Sequence, residues 1–236
     1  MMANGKLVVL EKPKSPIAEM YRILRTNVQF AAVDKEIKTI LLTSSGPGEG
    51  KSVTTANLAV AFAQSGKSVI IVDTDMRKPT QYKLWGLENM VGLTNLLIGD
   101  EEVEKILQPT PMDNLRVLTT GPIPPNPAEM LGSQRMSSMI KKLTGYADII
   151  IFDSPPVIAV TDAALLAPQV DGVILVVGSG IARIEGAQRV KEMLLNGKAR
   201  ILGTVLNMVE QESQDYYYYY YYYGEGNDKK KKGSKG

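Results

Sequence analysis

The 236-residue chain contains no cysteine and no histidine. The first absence excludes disulfides, thiolate metal sites and iron–sulfur clusters, and the second excludes histidine-dependent triads and histidine–metal sites. No apolar run approaches the ~20 residues that cross a membrane. The first residues lack an apolar signal core and a glycine at position 2 for acylation, so we expect a cytoplasmic protein. The formal net charge is only +2, and we expect no nucleic-acid partner.

The stretch from Thr39 to Thr55 reads TILLTSSGPGEGKSVTT. An apolar strand leads into a loop with three glycines, and a helix follows at once, which is the context of a phosphate-binding loop. Glycines let backbone N–H groups converge on phosphate oxygens, and a helix N-terminus adds partial positive charge there. Lys51 can reach the β- and γ-phosphates, and Ser52 offers a hydroxyl to Mg²⁺. Ser45 replaces a glycine of the strict pattern, and the alternative is a turn that merely joins strand to helix.

Two further apolar segments end in aspartate. Residues 68–72 run into Asp73 and Asp75, and residues 147–152 run into Asp153. In open α/β sheets the carboxyl ends of the strands form the edge where ligands bind, so these carboxylates and the loop should meet there. Asp153 could hold Mg²⁺ directly or through water. A nucleoside triphosphate with Mg²⁺ is the ligand consistent with this set. The expected nucleotide contacts are Gly46, Gly48, Glu49, Gly50, Lys51, Ser52, Val53 and Asn207.

Strands and helices alternate along the chain, which predicts an α/β fold. We expect a doubly wound, mostly parallel sheet with helices on both faces, of the P-loop NTPase type. Residues 172–177 and 201–206 should form further buried strands, so that Asn207 emerges at the same edge. Residues 119–127 should form an ordered loop at a strand end rather than a lid. Residues 7–10 suggest an edge strand or an extended arm, and the expected core between residues 80 and 112 is Trp85, Leu93, Leu96 and Leu97.

A helix should begin at Ser15-Pro16, with serine as its N-cap and proline at its first position. Its apolar stripe is Ile17, Met20, Tyr21, Leu24 and Val28. Glu19, Arg22 and Arg25 lie three apart on a different face. This face is either solvated or a subunit interface. We divide the chain into a domain at 1–208, which includes an arm at 1–14 and the helix at 15–30, and a tail at 209–236.

The tail is low in complexity and predicted to be disordered, with a risk of β-aggregation. Its lysine run, residues 229–232, is a solubilising end or a contact for acidic lipid. The first and last tail tyrosines lie nine and sixteen residues beyond Asn207, a reach of roughly 30 to 55 Å for an extended chain. The eight consecutive tyrosines are Tyr216, Tyr217, Tyr218, Tyr219, Tyr220, Tyr221, Tyr222 and Tyr223.

These tyrosines could therefore sample a site on their own molecule or on a neighbour, and Asp73 or Asp75 is placed to take a phenol proton. A hydroxyl acceptor would make the protein a kinase, and water as acceptor would make it an ATPase. The alternative for the tail is a biased end with no catalytic link.

The chain resembles the bacterial tyrosine kinases known as BY-kinases, in their Gram-positive form, over essentially its full length. SGPGEGKS at 45–52 resembles their Walker A motif, VIIVDTDMRKP at 69–79 their Walker A′ motif, and IIIFDSPP at 149–156 their Walker B motif. GPIPPNP at 121–127 and the tyrosine-rich tail are also similar. EMYRILR at 19–25 fits their E-x-x-R-x-x-R oligomerisation motif. The unbroken row of tyrosines is denser than the scattered cluster usual in the family.

The resemblance implies ATP-dependent autophosphorylation of the tail tyrosines, mostly between subunits of a ring-shaped oligomer with Glu19, Arg22 and Arg25 at its interface. It implies Lys51 on the phosphates, Asp73 as the base, and Mg²⁺ held by Ser52, Asp75 and Asp153. It also implies protein substrates, a cognate tyrosine phosphatase and a role in capsular or extracellular polysaccharide synthesis. A membrane-anchored activator would recruit the protein to the inner face of the membrane, with the arm at 1–14 as a candidate docking element.

Two other classes share parts of this pattern. Partition and division-positioning ATPases have the same fold, and they carry a signature lysine five residues before the P-loop lysine. Gly46 stands at that position here, which disfavours them. A nucleotide-sensing scaffold without catalysis is the third class, and the presence of every expected catalytic carboxylate disfavours it.

Overall fold

A computed structural model describes residues 6–31, 36–99 and 101–210 of the chain. Within them lies a seven-stranded sheet. Its strands are β1 (Thr39–Ser44), β2 (Val69–Asp73), β3 (Gln108–Pro109), β4 (Leu115–Leu118), β5 (Ile149–Asp153), β6 (Gly172–Gly178) and β7 (Ile201–Asn207). Their order across the sheet is β3-β4-β2-β5-β1-β6-β7, and all neighbours are parallel except β3 and β4. The predicted mostly parallel sheet is confirmed, and the short antiparallel β3 is an addition to it.

The helices cover both faces of this sheet. They are α1 (Val8–Glu11), α2 (Pro16–Phe30), α3 (Lys51–Gln64), α4 (Gln81–Trp85), α5 (Leu93–Ile98), α6 (Val103–Ile106), α7 (Pro127–Leu131), α8 (Gln134–Leu143), α9 (Asp162–Leu166) and α10 (Ile184–Asn196), with a 3₁₀ turn at Ala167–Gln169. Among these residues, no helix is both long enough and apolar enough to cross a bilayer.

Side-chain alternation along the strands separates two hydrophobic cores. Ile40 and Leu42 of β1 point into one core, which contains α1, α2 and α3, and Leu41 points into the other, which contains α5, α8 and α10. Strands buried on both faces must be apolar at consecutive positions, which explains the uninterrupted runs in β2 and β5. The predicted core residues Trp85, Leu93, Leu96 and Leu97 are buried.

Residues 7–10 form neither an edge strand nor an extended arm, so that prediction was wrong. They enter helix α1, whose Val9 is fully buried together with Leu7. The reason lies in α3: the side chain of Asn57 accepts a hydrogen bond from the Val9 amide at 2.9 Å and donates one to the Lys6 carbonyl at 2.8 Å. The buried side chain of Asn57 thus provides hydrogen-bond partners for the backbone at the start of this short helix. These bonds replace the sheet pairing that the apolar run suggested.

Strand β7 lies at the edge of the sheet, so the prediction of a buried strand at 201–206 was wrong. Within the described part of the chain it pairs with β6 alone, and Leu206 is 61% exposed. The parallel direction predicted for it is confirmed, and Asn207 therefore lies at the carboxyl edge.

The stripe predicted for α2 is only partly buried. Val28 is buried and Tyr21 and Leu24 pack against the same core, but Ile17 and Met20 are 46% and 42% exposed. Ala18 is fully buried instead, in the same core as α3. Residues 119–127 form an ordered loop, as predicted, whose Thr120 hydroxyl donates to the Asp73 carbonyl at 2.9 Å. The tyrosines at 216–223 and residues 1–5 of the arm lie outside the described residues.

Candidate active site

The loop between β1 and α3 is built on glycines in the left-handed region. Gly48 and Gly50 have φ of +83° and +86°, and Gly50 is the N-cap residue of α3. The carboxylate of Glu49 is buried and accepts hydrogen bonds from the Ser45 hydroxyl, the Gly46 amide and, at 3.1 Å, the Gly178 amide. The Glu49 side chain therefore ties the loop to the end of β6, and this glutamate can offer a nucleotide only its backbone. Val53 lies in the first turn of α3.

Asn207 lies against the same loop. Its amide nitrogen donates to the Glu49 carbonyl at 3.0 Å, which brings the end of β7 to the phosphate-binding loop. A Cβ atom at Gly50 would come within 2.1 Å of this nitrogen. The absence of a side chain at position 50 thus allows the positive φ and leaves room for the Asn207 side chain.

We expect Gly50→Ala to weaken nucleotide binding and folding more than Gly48→Ala does. Both changes place alanine at a positive φ, which costs about 1–2 kcal/mol, but a Cβ atom at Gly48 meets nothing within 4 Å. Gly50→Ala must also displace Asn207. Thermal unfolding and ADP titration of the two variants measure the difference, and equal losses in both would show that the Asn207 contact has no role in shaping the loop.

The three predicted carboxylates meet at the edge beside this loop. Asp73 and Asp153 are directly paired in the register of β2 and β5, and both are fully buried. Asp75, two residues beyond Asp73, is 5% exposed. The Lys51 ammonium lies 3.1 Å from Asp75 Oδ2, 3.5 Å from Asp153 Oδ1 and 3.2 Å from the Ser52 hydroxyl oxygen.

The carboxylates of Asp153 and Asp75 stabilise the charged form of Lys51. Burial alone would lower the pKa of Lys51, but the negative charges of Asp153 and Asp75 outweigh it, so that the pKa is raised above its ordinary value. Lys51 is therefore a permanent cation at neutral pH. In this conformation it compensates the carboxylates of Asp75 and Asp153.

Asp73 lies deeper than the other groups. Its carboxylate accepts hydrogen bonds from the backbone amides of Asp75 at 3.2 Å and of Thr80 and Gln81 at 2.9 Å each. Burial and, second, the charge of Asp153 raise the pKa of Asp73 to about 8, although the amides of Gln81 and Thr80 act in the opposite direction. The raised pKa makes the ionised Asp73 carboxylate a stronger base than an ordinary aspartate. At a pKa of about 8 the protonated form predominates at neutral pH, so Asp73 accepts a proton only in its ionised form.

Two contacts of this site were missed by sequence reasoning. The Arg77 guanidinium forms a two-point ion pair with buried Asp162, at 2.9 and 3.1 Å, which ties the loop after β2 to the start of α9. The side chain of Gln81 donates to Asp153 Oδ2 at 2.8 Å and to the Ser52 carbonyl at 3.0 Å. Arg77 lies in the motif at 69–79, but nothing in the sequence indicates its partner, and no spacing pattern marks Gln81.

The donor set suits Mg²⁺. Asp153 Oδ1 is buried without a hydrogen-bond partner and faces the Lys51 ammonium, so it can accept a cation. Ser52 and Asp75 add hydroxyl and carboxylate oxygens, the hard ligands that Mg²⁺ prefers. Among the described residues no three acidic side chains are arranged to hold a metal ion by themselves. Mg²⁺ sites of this kind are commonly completed by the phosphates of the nucleotide.

Comparison with known proteins agrees with this geometry. A family model described as "ParA: NUBPL iron-transfer P-loop NTPase" matches residues 36–235. Tyrosine-protein kinase YwqD of Bacillus subtilis is 46% identical over 201 residues, which are 85% of each chain. Tyrosine-protein kinase CpsD of Streptococcus agalactiae is 35% identical over 84% of this chain and 86% of its own. The chain belongs to the bacterial tyrosine kinases.

A solved structure supports this membership of the BY-kinases. The crystal structure of the chimerical protein CapA2B2 is 40% identical, with a TM-score of 0.84, and the match covers 89% of this chain and 93% of that one. The resemblance drawn from the Walker motifs is therefore confirmed, as is the P-loop NTPase fold. The match to the ParA model reflects the fold that these kinases share with P-loop ATPases, whereas the kinases are the relatives at high identity.

Proposed function

We propose that this BY-kinase transfers the γ-phosphoryl group of ATP to the tyrosines at 216–223 of its own tail, mainly between subunits. The observation that carries the proposal is a cluster of oxygens around the Lys51 ammonium. Oxygens of Ser52, Asp75 and Asp153 lie within 3.5 Å of it, at the start of the helix that follows the phosphate-binding loop. Such an edge offers one position for a triphosphate, and the chain has a dense set of phenol acceptors.

In the proposed reaction the loop amides from Gly46 to Val53 and the Lys51 ammonium bind the phosphates. Ser52, Asp75 and Asp153 would hold Mg²⁺, which neutralises the charge on the β- and γ-phosphate oxygens. The phenol oxygen forms a bond to the γ-phosphorus while the bond from that phosphorus to the bridging oxygen breaks, and ADP leaves. The phenol proton passes to Asp73 in its ionised form, which is a stronger base than an ordinary aspartate.

The route of the tail supports phosphorylation of its tyrosines. Strand β7 ends at Asn207, whose side chain lies 3.0 Å from the Glu49 carbonyl. The tail therefore leaves the domain beside the phosphate-binding loop. From this start a tether of nine residues gives Tyr216 a reach of roughly 30 Å, enough for its own site or a neighbour's.

We propose α2 as the interface of a ring-shaped oligomer. Glu19 and Arg22 form an exposed ion pair at 2.8 Å, and the half-exposed Ile17 and Met20 lie within two residues of Glu19 on the same helix. Arg25 has a different environment from that predicted, because its guanidinium donates to the Ala61 carbonyl of α3 at 3.2 Å. In this proposal Glu19 and Arg22 contact the neighbour, and Arg25 holds α2 on its own domain.

The cellular part of the proposal follows from family membership. We propose that a membrane-anchored activator brings the kinase to the inner face of the membrane, that residues 1–14 take part in docking, and that a cognate tyrosine phosphatase reverses the reaction. The role would be control of capsular or extracellular polysaccharide synthesis, together with other protein substrates. The chimeric composition named in CapA2B2 supports a partner for such a domain.

A mixing experiment tests transfer between subunits. One partner is the full chain with Lys51→Met, which keeps its tail, and the other is active at Lys51 but carries phenylalanine at all eight tail positions. We expect phosphotyrosine on the first chain only when both are present with Mg·ATP. If the wild type phosphorylates itself but the mixture stays unlabelled, transfer occurs within one chain.

A further inference from the structure

Gln81 is the residue that joins the separate parts of the site. It is fully buried at the start of α4. Its side-chain nitrogen donates to the Ser52 carbonyl at 3.0 Å and to Asp153 Oδ2 at 2.8 Å, and its backbone amide donates to Asp73 Oδ2 at 2.9 Å. One side chain thus contacts the helix after the phosphate-binding loop and the end of β5, while its backbone contacts the end of β2.

The orientation of the Gln81 amide is fixed by its third partner. The Trp85 indole nitrogen donates to Gln81 Oε1 at 3.1 Å. An indole N–H can only donate, so the oxygen of the amide must face it. The NH₂ group then faces two acceptors, a carbonyl and a carboxylate, and a flipped amide would lose all three hydrogen bonds.

This orientation decides how Asp153 is presented. Oδ2 is engaged by Gln81, whereas Oδ1 is buried without a hydrogen bond and faces the Lys51 ammonium at 3.5 Å. If the Asp153 carboxylate rotated, Oδ2 would lose its hydrogen bond from the Gln81 side chain. The amide therefore holds one oxygen of Asp153 toward the cation position while it holds the backbone of Ser52 beside it.

We propose that Gln81 is a positioning residue for Mg²⁺, which aims Asp153 Oδ1 at the metal and holds the backbone of Ser52 beside it without touching the metal itself. This inference rests on the proposed function, because it concerns the metal-holding role given there to Asp153 and Ser52. Hydrogen-bond partners behind metal ligands typically change metal affinity by about 10- to 100-fold when they are removed.

The test compares Gln81→Met with a matched control. Methionine keeps the length of the side chain and removes its donors. The control is Gln169→Met: Gln169 has the same kind of network, because it donates to the Leu131 and Leu165 carbonyls and accepts from the Ser137 hydroxyl, but its contacts are outside the candidate site. Gln81→Asn is the second variant, with an amide one methylene too short to reach Asp153, for use if the methionine variant does not fold.

The readout is the dissociation constant of fluorescent ADP for the full chain, with saturating Mg²⁺ and with EDTA. We expect the wild type to bind ADP more tightly with Mg²⁺ than with EDTA. In the Gln81 variants the ratio of these two affinities should be about tenfold smaller, while the affinity in EDTA changes less than twofold. The Mg²⁺ concentration for half-maximal kinase activity should rise correspondingly, and Gln169→Met should resemble the wild type.

Three results would overturn the inference. The first is an unchanged Mg²⁺ gain in the Gln81 variants. The second is equal weakening with and without Mg²⁺, which would indicate a general packing role. The third is a wild type that gains nothing from Mg²⁺ although it binds ADP, and this result alone also removes the metal site of the proposed function.

Discussion

Lys51→Met is expected to abolish tyrosine phosphorylation, with a loss of at least about 10²–10³-fold, the usual cost of removing one preorganised charge-stabilising donor. The Lys51 ammonium lies at the start of the helix that follows the phosphate-binding loop, where the proposal places it on the phosphates of ATP. Methionine fills similar space and carries no charge, so the γ-phosphoryl oxygens lose their cationic partner. Phosphotyrosine detection after incubation with Mg·ATP measures the effect.

The same change should destabilise the nucleotide-free fold. The ammonium is 11% exposed and lies between Asp75 and Asp153, whose side chains are 7% and 0% exposed. Removing one partner from a buried ionic cluster leaves the remaining charges uncompensated and costs about 3–5 kcal/mol. Thermal or urea unfolding without nucleotide measures this loss.

Lys105→Met is the matched control for Lys51→Met. Lys105 pairs with Glu102 at 3.0 Å, but the two side chains are 67% and 62% exposed. Exposed pairs of this kind contribute about 0–1 kcal/mol, so the control should keep both stability and activity. An active Lys51→Met protein would contradict the assignment of Lys51 as the phosphate-binding cation. Equal stability of the two variants would contradict the stabilising role of the buried ion pairs of Lys51.

Replacing all eight tail tyrosines by phenylalanine should remove nearly all phosphotyrosine from the kinase incubated alone. The chain contains eleven tyrosines, so three remain, at positions 21, 82 and 146. Phenylalanine keeps the ring and removes the acceptor oxygen, and the loop and carboxylates are untouched. ADP affinity should therefore stay within about twofold, since no contact of the phosphates changes.

Tyr146→Phe serves as the control for the tail variant. Tyr146 is 37% exposed and donates to the carboxylate of Glu104, which is itself exposed and lies on α6, away from the carboxylate edge. This variant should keep the full phosphotyrosine signal. If the tail variant keeps its signal and Tyr146→Phe loses it, the acceptor lies in the folded domain and the proposed role of the tail is wrong.

The parts of the fold that were predictable from sequence depend on local chemistry. Consecutive β-branched residues such as those of β2 predicted strands buried on both faces, because both faces of such a strand need apolar side chains. The carboxyl ends of parallel strands share one edge, so Asp73, Asp75 and Asp153 were predicted to meet Lys51, and the structure brings them together. The Walker motifs then indicated the family that the comparisons confirm.

The parts that were not predictable depend on distant partners. β7 was expected to be buried because its residues are apolar, but its exposure is decided by its place at the end of the strand order. The helix at 8–11 depends on Asn57, 48 residues away from Val9. Gln81 contacts Ser52 and Asp153, which are 29 and 72 residues away, and a lone glutamine after a turn has no pattern of its own.

The central claim is that this edge transfers the γ-phosphoryl group of ATP to the tyrosines of the tail. Mass spectrometry of the purified full chain, before and after incubation with Mg·ATP, tests it most directly when free phosphate is measured in the same samples. The account predicts phosphate on residues 216–223, dependent on Mg²⁺ and absent from Lys51→Met, with little free phosphate. Rapid release of free phosphate with an unmodified tail would contradict it and identify an ATPase instead.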